Sequence, residues 1–180
     1  MANPALEEPI PVEPVDPNAD LSSVLPMTAE IRDGHLWVGG VDMVELARSQ
    51  GTALYVMDEA QIRNQLREFR KWTTFHWNDV ETVYAGKAFM CKAMCRIVHE
   101  EGCMILCASG GELAIALAAG VPASRIQMHG NNKTDAEIAE ALDAAVDRII
   151  VDSLYELERI SAAAVERGMT QRCCSASLRA

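Results

Sequence analysis

The sequence predicts an α/β fold, a partial (β/α)8 TIM-like barrel of about five strand–helix units. Two observations carry that expectation. Beyond Gly51, short apolar runs of strand length alternate with stretches of helical periodicity, the pattern of a parallel sheet built from βα units. At 180 residues and 49% hydrophobic content the chain can bury one real core, yet it falls short of the roughly 250 residues that a closed eight-stranded barrel takes.

Six of the seven prolines lie within residues 1–26, interleaved with Glu7, Glu8, Glu13, Asp16 and Asp20 and with no basic residue. Such a stretch buries too little apolar surface to offset its ordering entropy, so residues 1–27 are expected to form a disordered tail. Within residues 31–38 two short strands should flank a turn at Asp33-Gly34, and a short helix should follow over 41–49. A strand is expected at 54–57, then a helix over 59–72 with Ile62, Leu66 and Phe69 at helical spacing. The alternation continues with strand 80–85, helix 92–101, strand 104–108, helix 112–119 ending at Gly120, and strand 126–129. Helix 136–145, strand 148–151 and helix 154–167, stopped by Gly168, complete five units. A sixth strand should follow Arg172, but Cys173-Cys174-Ser175-Ala176-Ser177-Leu178-Arg179-Ala180 does not read as one.

The net charge of -10 argues against a nucleic-acid partner, which would need a basic stripe. No apolar run reaches membrane-spanning length and no basic region precedes an apolar stretch at the N-terminus, so no membrane association and a cytoplasmic location are expected. In that setting the six cysteines should be thiols rather than disulfides. Cys91 and Cys95 can share a helix face, whereas Cys103 and Cys107 along a strand would be about 13 Å apart at ~3.3 Å per residue, so no metal site is expected.

Three motifs bear chemistry. Lys87 ends the run Val83-Tyr84-Ala85-Gly86-Lys87-Ala88-Phe89, which would present its amine at the mouth of the barrel. The second motif is Cys107-Ala108-Ser109-Gly110-Gly111-Glu112-Leu113, and the third is Met128-His129-Gly130-Asn131-Asn132-Lys133. Each also has a plain structural reading. Lys87 could be a surface charge at a strand end, Ser109 and Glu112 could form a capping box, and His129 could satisfy loop carbonyls.

In order and spacing the three motifs resemble the pyridoxal-phosphate-dependent decarboxylases with an alanine-racemase-like barrel, and among them the branch that converts meso-diaminopimelate to L-lysine. The resemblance implies that Lys87 is the catalytic lysine and covalent anchor of pyridoxal 5'-phosphate, and that Ala85, Glu112 and His129 also line the cofactor. It implies a small amino-acid substrate, a homodimeric full-length form, and membership of residues 28–50 in a β-rich second domain, with 51–172 as the partial barrel. Leu106 stands where the family usually has an Asp. Arg125 and Lys133 look like phosphate ligands, but the family's phosphate loop lies further along the chain, as do its ring-stacking histidine and the Glu partner of the pyridine nitrogen. The chain is therefore expected to be an N-terminal fragment, inactive alone.

A frameshift would account for residues 173–180. The family has a strand resembling Val-Leu-Leu-Arg-Val-Ser-Pro-Gly here, and deleting one base from codons for it yields Cys-Cys-Ser-Ala-Ser-Leu-Arg-Ala. Two other readings remain: a sister decarboxylase of ornithine, arginine or carboxylated polyamines, and a non-catalytic cofactor-binding barrel protein. His129-Gly130-Asn131-Asn132-Lys133 favours the diaminopimelate branch, and the segment 31–49 argues against the single-domain non-catalytic proteins.

Overall fold

Asp33 and Gly34 both have positive φ, 52° and 78°, which makes a two-residue turn whose twist matches that of its flanking strands. It joins β1 (Glu30–Arg32) to β2 (His35–Val38), paired Glu30 to Trp37 and Arg32 to His35. A second tight turn at Gly39-Gly40 returns the chain into β3 (Val41–Asp42), a strand within the span expected to be helix. Asp42 then caps α1 (Met43–Gln50): its Oδ1 accepts the Val44 N–H at 2.8 Å, while Oδ2 lies 2.7 Å from His35 Nδ1.

The computed structural model describes residues 24–175. The chain divides into two compact units, Met1–Gln61 and Ile62–Ala180. Most of the proline-rich tail expected over 1–27, and residues 176–180 of the stretch expected to be frameshifted, lie outside the described residues. Among the described residues no helix is long and apolar enough to cross a membrane.

The strand expected at 54–57 is not formed. Tyr55 is fully exposed, and the segment joins neither sheet. An apolar run becomes a strand only when a neighbour takes up its N–H and C=O groups, and none does so here. Helix α2 (Glu59–His76) follows and outruns its expected end by four residues, with the Thr73 and Thr74 hydroxyls bonded back to carbonyls of the preceding turn. Ile62 and Leu66 pack on the core as their spacing requires, but Phe69 is 66% exposed.

The second unit holds a parallel sheet in the order β4 (Val83–Ala85), β5 (Met104–Cys107), β6 (Ile126–Met128), β7 (Arg148–Val151), β8 (Cys173–Ser175). Helices α3 (Lys92–Glu100), α4 (Gly110–Ala118), α5 (Asp135–Ala144) and α6 (Leu154–Glu166) make the four crossovers, and each packs on the next. A sheet in which every strand neighbours its sequence successor, covered by a row of helices in the same order, is a segment of barrel wall. With five parallel strands and four crossover helices it is the expected partial barrel of about five units, although the strand expected at 54–57 is not among them. The doubtful sixth is present: Cys173 and Ser175 pair with Ile149 and Val151. A ladder uses backbone groups, so these short polar side chains suffice for an exposed edge strand.

Alternation along the strands divides the residues. Ile105, Cys107, Ile126, Met128, Ile149 and Val151 meet Val98, Leu113, Ile138, Leu142 and Ile160 of the helices in one buried cluster. On the opposite face Leu106 and Ile150 are only half-buried, and the Gln127 amide meets the Met104 sulfur at 3.6 Å. The six cysteines are free thiols, and burial pushes the Cys107 thiol up to about 12.

Helix α2 is tied to the end of α3 by arginines at helical spacing. Arg67 grips buried Glu101 through two bonds of 2.6 and 2.7 Å, Arg63 adds one at 2.9 Å, and Arg70 bonds the Glu101 carbonyl at 2.6 Å. The Arg67 guanidinium, followed by that of Arg63, holds the Glu101 carboxyl down to about 2 against an ordinary 4.5. A lowered folded-state value stabilises the fold above the unfolded value, and that contribution is lost as pH falls from about 4.5 through about 2. The Glu101→Gln variant should therefore be less stable than the parent at pH 7 and approach it below pH 3. Urea midpoints at both pH values check this, and a difference independent of pH would show that the ion pairs contribute nothing.

Candidate functional site

Because β4 to β7 run in one direction, the residues that follow them gather at one edge of the sheet: Lys87 after β4, Ser109 after β5, His129 after β6 and Asp152 after β7. Lys87 sits in a single 3-10 turn, Gly86–Ala88. A Cβ on Gly86 would stand 2.9 Å from the Leu106 carbonyl oxygen and 2.9 Å from Met90 Cε, so only glycine lets the end of β4 lie this close to β5. The Tyr84 hydroxyl donates to the Phe89 carbonyl at 2.8 Å and folds the following segment back. Cys91 then caps α3, its sulfur accepting the Met94 N–H at 3.5 Å. Lys87 itself is exposed and makes no hydrogen bond or ion pair among the described residues.

Ser109 caps α4 as its motif predicts, accepting the Glu112 N–H at 3.3 Å. Glu112 departs from the expected box, for its Oε2 accepts from Ala108 at 2.6 Å rather than from Ser109. Ala108 is the first residue past the β5 ladder, and its N–H would otherwise be unpaired at the strand end. Glu137 serves the Gly110 N–H at 2.9 Å and also caps its own helix, accepting from the Thr134 N–H at 2.9 Å. These amides, that of Thr134 first, hold the Glu137 carboxyl below the usual carboxylate range.

His129 extends the β5–β6 ladder by one bond, its N–H to the Cys107 carbonyl at 2.7 Å. Its Nδ1 accepts the Gly130 N–H at 2.5 Å, so the ring bonds a loop amide rather than a loop carbonyl. Asn131 and Asn132 are exposed, but Lys133 is buried. Its ammonium donates to the Gly130 carbonyl at 2.7 Å, the Ile150 carbonyl at 2.8 Å and Glu156 Oε1 at 2.9 Å, leaving no proton for a phosphate. Glu156, also buried, accepts the Asp152 N–H through Oε2 at 2.8 Å. Glu156 is the residue that motif reading passed over. Its signal was present, since Ser153-Leu154-Tyr155-Glu156 repeats the Ser109–Glu112 pattern.

Arg125 precedes β6 and lies at the opposite edge, bonded to Glu81 at 3.2 Å and to the Gly102 carbonyl at 2.7 Å. Arg148 and Arg172 at that edge are both paired with Asp147. The charges there are neutralised in place, whereas the edge after the strands holds the unpaired Lys87 amine and an imidazole whose Nε2 has no hydrogen-bond partner among the described residues. That donor set fits a group with an aldehyde and anionic oxygens. Among the described residues no cluster of three or more His, Cys, Asp or Glu could hold a metal. Gly86→Ala should push β4 from β5 and cost about 1–3 kcal/mol of stability, an overpacking penalty that urea denaturation measures. A midpoint equal to the parent's would show that β4 can yield.

Residues 59–177 match the family model described as pyridoxal-dependent decarboxylase, pyridoxal binding domain. Relatives include the diaminopimelate decarboxylases of Bacillus methanolicus, 43% identical over 136 residues, and of Mycobacterium tuberculosis H37Rv, 41% identical over 143. These alignments cover 76% and 77% of this chain but 32% and 30% of the relatives. The crystal structure of diaminopimelate decarboxylase from M. jannaschii in complex with L-lysine superposes with a TM-score of 0.74 at 37% identity, covering 83% of this chain and 35% of that one. The chain thus spans about a third of the length of the proteins it matches. The matched segment contains the whole parallel sheet together with Lys87, Ser109, Glu112 and His129, and on that footing the chain belongs to the pyridoxal-dependent decarboxylases, whose pyridoxal-binding domain it carries.

Proposed function

We propose that this chain supplies the cofactor-binding barrel wall of a diaminopimelate decarboxylase, which releases carbon dioxide from meso-diaminopimelate to give L-lysine. The observation that carries the reading is Lys87: an exposed, unpaired amine at the end of β4, on the edge where the two glycine-bearing motifs also end. Relatives at 41–43% identity that bear this name, and a similar structure holding L-lysine, support the substrate.

Pyridoxal phosphate, when bound, supplies the electron sink for the pair left behind as carbon dioxide departs. Lys87 would hold it through its unpaired amine, and that amine would be a group able to carry a proton beside the reacting carbon. Ala85, the last residue of β4, would place strand backbone beside the cofactor. Glu112 has one oxygen committed to the Ala108 N–H and the other without a hydrogen-bond partner among the described residues, available to a cationic amine. His129 offers Nε2 at the same edge. Leu106 contributes no carboxylate on the inner face of β5, which leaves Glu112 as the acidic group of that strand's end.

The antiparallel β1–β3 sheet and α1 support a separate β-rich domain over 28–50; of the barrel assigned to 51–172, residues 51–61 group with the first compact unit and 62 onwards with the second. The complete enzyme would be a cytoplasmic homodimer.

Borohydride reduction of the chain mixed with pyridoxal phosphate should fix a pyridoxyl group on Lys87, and Lys87→Ala should remain unlabelled. Grafting residues 59–172 in place of the matching segment of the Bacillus methanolicus relative should give a chimera that decarboxylates meso-diaminopimelate, with Lys87→Ala lowering the rate by several orders of magnitude. A folded chimera that binds the cofactor and acts on ornithine or arginine instead would move the chain to a sister branch, and one that acts on none of them would overturn the reading.

A further inference from the structure

Gly130 is pinned on three sides. Its carbonyl accepts from the Lys133 ammonium at 2.7 Å, its N–H donates to His129 Nδ1 at 2.5 Å, and a Cβ placed on it would stand 3.0 Å from the Ala108 carbonyl oxygen. Its φ of 115° is open to glycine and strained for other residues. Glycine has the conformational freedom to turn here, and the Lys133 ammonium is the side chain that holds its carbonyl. That cation is itself immobile. Lys133 and Glu156 are 3% and 4% exposed, and the two remaining protons of the ammonium go to the Ile150 carbonyl at 2.8 Å and to Glu156 Oε1 at 2.9 Å. The other Glu156 oxygen accepts the Asp152 N–H at 2.8 Å, and Arg159 donates to the Lys133 carbonyl at 3.0 Å. The loop after β6 is thereby fastened to the end of β7 and the start of α6.

We infer that Lys133, held by Glu156, is a positioning residue: by fixing Gly130 it keeps the His129 imidazole with Nδ1 as acceptor and its proton on Nε2. An imidazole nitrogen that accepts an amide N–H carries no proton, so the neutral ring must be protonated on the other nitrogen. The Nε2–H is the one donor the ring has left, and it serves an anionic oxygen of the ligand bound at this edge. The inference rests on the proposed cofactor site, but the tautomer can be read without any cofactor.

Long-range proton–nitrogen correlation on the full chain resolves its four histidines, with His129 assigned by His129→Gln. Neutral His129 should show the Nε2–H pattern alone, and an Nδ1–H pattern overturns the inference even if no variant folds. Lys133→Met strands a buried carboxylate and invites unfolding, so the deciding protein is Lys133→Met/Glu156→Gln, in which the glutamine still accepts the Asp152 N–H. Its His129 should become a mixture of tautomers while His35, His76 and His99 keep their patterns. A folded double variant with unchanged His129 overturns the inference. Pyridoxal phosphate should shift the His129 Nε2 proton in the parent and bind the double variant about tenfold more weakly, the loss expected for one hydrogen bond to a charged group. Attachment at Lys87 should persist in that variant. Separate additions of pyridoxal, which lacks the phosphate, and of lysine, which brings a carboxylate, identify the anion that the Nε2–H meets, and no shift with any of the three rules out its role as a ligand donor. Failure of the parent to attach pyridoxal phosphate at Lys87 would count against the proposed function and leave the tautomer result standing.

Discussion

Every strand of the second unit pairs with its successor in the chain and runs the same way. Almost everything else about the site follows from that constraint. Residues that follow a strand must fall on one edge, and so must the start of each crossing helix with its unbonded N–H groups. The edge that can gather Lys87, Ser109 and His129 is also the edge with the most backbone polar groups to satisfy. A barrel wall that failed to satisfy them would have no defined mouth.

Three successive helices meet that demand with one device. Ser109 and Glu112 on α4, Thr134 and Glu137 on α5, and Ser153 and Glu156 on α6 each place a hydroxyl at the cap and a carboxylate three residues on, where it also faces the positive end of the helix. The carboxylates then diverge in use. Glu112 reaches the last amide of its strand end, Glu137 reaches a neighbouring helix, and Glu156 neutralises a buried ammonium. Only the first retains an oxygen without a hydrogen-bond partner among the described residues, which separates a group able to meet a ligand from two that are structurally committed.

Much of this was legible in the sequence, and the exceptions share a cause. Periodicity located β4 to β7 and α3 to α6 to within a few residues, because a strand covered by helices and a helix with one buried stripe leave strong side-chain patterns. The same patterns say nothing about neighbours. Residues 54–57 have the composition of a strand and no pairing partner, while Cys173–Ser175 has the wrong composition and an open ladder beside it. Motif reading located Lys87, Ser109 and His129 at strand ends. It could not tell that Lys133, in an outwardly polar run of Asn131-Asn132-Lys133, turns inward, because its three acceptors come from residues 130, 150 and 156 and only folding assembles them.

The position of Glu137 has a consequence for how this wall opens. One carboxylate accepts the first amide of α4 and the cap amide of α5, so neither helix can unwind from that end without stripping a bond from the other. Local fluctuations that would otherwise be independent become a joint event, and the amide protons of Gly110 and Thr134 should exchange with solvent through the same opening. At this part of the mouth α4 and α5 therefore yield together, not one helix at a time.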